Sequence, residues 1–91
     1  MTIYVFHEYR DKAGIGSEAT FTTMDEAIRY ADNTWLSLAE SDRQSYVKDS
    51  CGNFCVYRAE LTPDELTAYT EGTADFTLEE KMVQYVKHYL P

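Results

Sequence analysis

Positive charge is scarce in this chain. Eight Lys and Arg face sixteen Asp and Glu, leaving a formal net charge of −8 over 91 residues. Nucleic-acid binders neutralise phosphates with Lys and Arg, so direct contact with nucleic acid is not expected. Long apolar runs are also missing. No stretch approaches the roughly 20 residues of a membrane-spanning helix. The opening MTIYVFHEYR has neither the basic segment nor the long apolar core of a secretory signal. A cytoplasmic protein is the expectation. Histidine and cysteine number two each. His7 and His88 belong to no H-x3-H or H-E-x-x-H pattern, so no metal is expected. Cys51 and Cys55 flank Gly52-Asn53-Phe54 and have no second pair to complete a site. Two free thiols are expected, with a local disulfide as the alternative. Ala13-Gly14-Ile15-Gly16 lacks the third glycine and the strand–helix context of a phosphate loop. No cofactor is expected.

The organising stretch is Thr23 to Ala39. Met24, Ala27, Ile28, Ala31, Trp35, Leu38 and Ala39 recur every three or four residues and share one face of a helix. Thr23 and Glu26 suit the start of that helix, and Trp35, the one tryptophan, reads as its core anchor. Thr2 to Tyr9 reads as a strand, with Ile3, Val5, His7 and Tyr9 on one side and Tyr4, Phe6 and Glu8 on the other. Large residues on both sides suit a central strand. Arg10 to Gly16 reads as a turn or loop, and Glu18 to Thr22 as the returning arm of a hairpin. Glu40 to Gln44 is polar: a helical extension, or one turn capped by Ser41. Ser45 to Lys48 reads as a short strand, and Asp49 to Asn53 as a turn. Phe54 to Leu61 reads as a further strand, the two forming a second hairpin.

Leu61-Thr62-Pro63-Asp64-Glu65-Leu66 carries the clearest local signal. Thr62 is the N-cap, Pro63 takes the first helical position and Glu65 completes a capping box. Leu61 and Leu66 form a hydrophobic staple, and Gly72 ends the helix. A final helix is expected from Leu78, after a third Thr-x-x-Glu at Thr77 to Glu80. Leu78, Met82, Tyr85, Val86, Tyr89 and Leu90 would line one of its faces. The expected fold class is α+β: a small antiparallel sheet with the Trp35 helix packed on one face, in chain order β-β-α-β-β-α-α, as one domain spanning 1–91.

The acidic pairs Asp25-Glu26, Asp64-Glu65 and Glu79-Glu80 all sit at expected helix starts, where capping and the helix dipole account for them. An enzyme is therefore not expected. A remote alternative is a small enzyme or ligand-binding domain around His7 and Cys55, meeting as a thiol–imidazole pair on adjacent strands.

Two features point to binding instead. Seven acidic residues lie between Glu60 and Glu80 with no Lys or Arg among them. Such a stretch is either a solvated surface or an electrostatic face for a basic partner. The aromatic terminal segment is either core or interface. Asp64, Glu65, Glu71, Tyr85 and Tyr89 are the candidate partner-binding residues. The alternative partner is a second copy of the chain, assembling through the Leu78–Leu90 face.

The run from Phe21 to Ala31, FTTMDEAIRYA, followed by Trp35, Leu38 and Glu40, resembles small uncharacterised proteins of phages, integrative elements and genomes of Firmicutes. The resemblance covers roughly residues 2 to 60. It implies a bacterial or mobile-element origin and a cytoplasmic setting, and brings no activity or site residues with it. In that setting a host nucleic-acid-binding protein with a basic surface is one fitting partner.

Overall fold

The computed structural model describes residues 1–10, 15–49 and 52–90. Cys51, one half of the cysteine pair, lies outside them. The protein is α+β, built on a four-stranded antiparallel sheet. β1 (Thr2–Arg10) and β2 (Ile15–Phe21) pair as the expected hairpin, Tyr4 opposite Phe21 and Tyr9 opposite Gly16. Helices α1 (Met24–Ser37) and α2 (Glu40–Lys48) follow, then β3 (Asn53–Glu60), helix α3 (Pro63–Glu71), a short 3-10 turn (Leu78–Lys81) and β4 (Met82–His88). The strand order is β2-β1-β3-β4. β1 is therefore central, as its two large faces suggest, with β3 as its other neighbour.

The sheet separates two apolar clusters. Under α1 and α2 lie Phe6, Ala27, Ala31, Tyr46, Phe54 and Val56. On the other side Ile3, Val5, Cys55, Tyr57, Ala59, Leu61 and Leu78 are buried, with Leu66 and Tyr69 of α3 packed against them. Alternation along β1 and β3 feeds both clusters at once, which is how a central strand covered on two faces reads.

Local signals account for the starts of α1 and α3, whereas α2 starts after Ala39 with no side-chain cap. Thr23 Oγ1 accepts from the Glu26 amide of α1 at 3.3 Å. Thr62 and Glu65 form the full capping box of α3, and Gly72 ends that helix in the left-handed region at φ 77°. Ala27 and Ala31, fully buried, bring α1 close to the sheet. Trp35 is half-buried rather than the deepest anchor, and Met24 and Ala39 are exposed. The enclosed aromatic residues are Phe6, Tyr46 and Phe54 on this side of the sheet and Tyr57 on the other.

Two expected elements are corrected, and with them the chain order, which is β-β-α-α-β-α-β rather than β-β-α-β-β-α-α. Ser45–Lys48 is not a strand but the end of α2, so the second hairpin does not form. The Tyr46-Val47 pair looks β-prone, yet Tyr46 is buried from a helix, its ring edge-on to Phe54 and its hydroxyl donating to Glu8 Oε2 at 2.7 Å. Arg43 ties α2 to α1: its Nε donates to the Trp35 carbonyl and its Nη2 to that of Leu36, each at 3.0 Å. Both carbonyls belong to the last turn of α1; that of Trp35 also accepts from the Leu38 amide at 3.2 Å, and the guanidinium adds a charged donor to each. The final helix is replaced by the short 3-10 turn, which keeps the Thr77/Glu80 capping box, and by β4. Gly52 marks the turn into β3. A Cβ there would reach 3.1 Å from the Asp49 carbonyl oxygen and collide with that of Tyr46, both of them backbone atoms.

Candidate functional site

The acidic stretch forms the layer over the second face of the sheet. Four of its seven carboxylates have local partners. Glu60 accepts from the Thr2 hydroxyl and lies 3.7 Å from the N-terminal ammonium. Glu65 closes its capping box and pairs with Lys81, the first lysine after the stretch. That ammonium holds the Glu65 carboxyl below the usual range, and the carboxylate in turn raises Lys81. Glu79 Oε1 lies 3.2 Å from His7 Nε2. Glu80 caps the 3-10 turn. Asp64 and Glu71 are exposed and make no ion pair among the described residues, while Asp75 lies in the field of Lys81.

The two aromatic candidates part company. Tyr89 belongs to the cluster under α1: its ring stands 5.2 Å from Phe54 and 5.8 Å from Trp35, centroid to centroid. Its hydroxyl donates to Asp32 Oδ1, which Lys87 Nζ also reaches at 2.8 Å. Lys87 and then Tyr89 hold the Asp32 carboxyl below its usual range, and burial with the Asp32 contact raises the Tyr89 hydroxyl. Tyr85 sits opposite Tyr57 on β4, 45% exposed, its ring 4.2 Å from that of His88.

His7 and Cys55 do face each other in register across β1 and β3. Cys55 is a free, fully buried thiol, and burial pushes its pKa up to about 11. It is neutral at physiological pH, the opposite of an activated nucleophile. Beside it a shallow depression of about 420 Å³ opens to the surface, lined by His7, Tyr9, Asn53 and Glu79 and not by Cys55.

No family model, curated protein or solved structure matches the chain. The functional reading therefore stands on residues and geometry. Among the described residues no three His, Cys, Asp or Glu cluster as metal ligands, and no helix is long and apolar enough to cross a membrane. The ligand-binding alternative centres on His7 and Cys55, and the depression is lined by the first and not by the second. Strand alternation puts His7 and Tyr9 on one face, and that signal was present. Glu79 arrives from a remote turn, and nothing local announces it.

Proposed function

We propose that the protein is a non-enzymatic, cytoplasmic interaction protein that binds a protein partner with a basic surface through the α3 layer. The observation that carries this reading is the pair of exposed carboxylates, Asp64 and Glu71, which have no ion-pair partner among the described residues, on a layer where Lys81 is already held by Glu65. Charge of one sign on one layer steers a partner of the opposite sign and weakens as salt screens it. The resemblance to small phage and integrative-element proteins suits a host nucleic-acid-binding protein as that partner. Asp64→Lys with Glu71→Lys halves the net charge of −8. At low salt this double variant is expected to capture the partner at least about tenfold more weakly than the parent, the scale of two surface charge pairs turned repulsive. The measurement is a tagged pull-down at low and high salt with quantitative mass spectrometry. Capture unchanged by the double substitution would sink the electrostatic reading.

A second reading is self-association along β4. Val83 and Tyr85 are 53% and 45% exposed on this edge strand, and edge strands recruit further strands. Against it, the β3–β4 ladder shifts register twice, between Val56 and Tyr57 and between Arg58 and Ala59. Such irregularities blunt an edge. If the edge does assemble, Tyr85→Glu reduces the mass found by light scattering to that of one chain; an unchanged oligomer excludes this edge.

A further inference from the structure

We infer that the depression lined by His7, Tyr9, Asn53 and Glu79 is a pocket for one arginine side chain of the protein partner. The inference rests on the acidic-layer reading and gives that surface a specific anchor.

The walls supply what a guanidinium needs: an aromatic ring to stack on, an exposed carboxylate, and a neutral amide. Tyr9 provides the ring. Its position depends on Gly16, the residue opposite it on β2: a Cβ at Gly16 would lie 3.2 Å from Tyr9 Cδ2, so the glycine lets the ring rest against the strand. Asn53 sits opposite Tyr9 on β3 and brings its amide to the same rim. Glu79 provides the charge. Its Oε1 lies 3.2 Å from His7 Nε2, and its side chain remains 58% exposed, within reach of a second donor. A neutral imidazole N–H is a weaker partner for a carboxylate than a guanidinium, which can take both oxygens at once.

One further observation points the same way. Glu18, opposite His7 on β2, adds negative potential from the neighbouring strand. Its charge, after burial, raises the hydroxyls of Tyr57 and Tyr69 behind the site. Among the described residues no lysine or arginine lines the depression.

The test uses the full chain and three capped tripeptides, Gly-Arg-Gly, Gly-Lys-Gly and Gly-Gln-Gly, titrated by NMR. The arginine peptide is expected to shift the signals of His7, Tyr9 and Asn53 and to saturate, with lysine weaker and glutamine without effect. Glu79→Gln, still folded by its dispersed spectrum, is expected to weaken the arginine peptide about tenfold, the scale of losing a charged hydrogen bond. Tyr9→Leu weakens it with every charge left in place. Absence of shifts at the groove overturns the pocket. So do equal shifts from arginine and glutamine peptides, or binding unchanged in Glu79→Gln. The acidic-layer reading fails separately, when capture of the partner no longer depends on salt or on Asp64 and Glu71.

Discussion

Phe54→Ala is expected to remove about 3–5 kcal/mol from the free energy of unfolding, the usual cost of deleting a buried phenylalanine ring. The site gives reason for the upper part of that range. Phe54 is fully buried on β3 and meets four other rings. Phe6, Trp35, Tyr46 and Tyr89 lie at centroid distances of 5.0, 4.9, 5.3 and 5.2 Å, each with planes steeply inclined to its own. Edge-to-face contacts of this kind add to the burial itself. They also come from four elements or segments: β1, α1, α2 and the chain just past β4. Removing the ring leaves a cavity that all four border, and rigid aromatic walls collapse poorly into a void. Against a total stability of about 5–15 kcal/mol for a domain this is a large fraction. Urea unfolding monitored by Trp35 fluorescence measures it, with Leu36→Ala as the control. Leu36 is 69% exposed one residue after Trp35, and its loss is expected to cost under about 1 kcal/mol. Comparable losses for the two variants would place the core elsewhere.

That cluster shows what the sequence makes legible. The alternation of β1, with Val5 and His7 turned one way and Phe6 and Glu8 the other, is local and strong, and both faces are occupied as it implies. The caps at Thr23, Thr62 and Thr77 are equally local, since each rests on two side chains three residues apart. α2 is different. Its buried face consists of Tyr46 alone, so no periodicity marks it, and its place depends on Glu8, Arg10 and Trp35, all distant in sequence. The acidic layer is legible as composition, whereas the pairing of Glu65 with Lys81 and of Glu79 with His7 needs the fold. The aromatic candidates divide for the same reason: Tyr89 is drawn into the core by Phe54 and Asp32, and Tyr85 is left outside.

Leu78→Ala is expected to cost about 2–5 kcal/mol, and Tyr85→Ala under about 1 kcal/mol. The contrast separates the strand from the helix that the spacing suggests. On a helix, Leu78, Met82, Tyr85 and Tyr89 share a stripe and their truncations should resemble one another. In the structure that stripe is cut apart. Leu78, 1% exposed, fills the cluster beneath α3, with Met82 packed against the same cluster. Val86, Tyr89 and Leu90 join the opposite cluster, under α1. The helical spacing is produced by the two register shifts against β3. Each inserts an extra residue into β4, so intervals of two become intervals of three, and a strand acquires the apolar period of a helix. Long-range pairing with β3, helped by Val83, Tyr85 and Val86, then prevails over that pattern. Leu78 has a second role that makes its truncation costly. It fastens the acidic turn, and with it Glu79, to the sheet beside His7. Loss of the Leu78 side chain should therefore loosen the groove as well as the core. Hydrogen exchange at residues 77–81 is expected to accelerate in Leu78→Ala and to stay unchanged in Tyr85→Ala. Equal unfolding energies for the two variants would mean that the terminal segment packs as a single stripe after all.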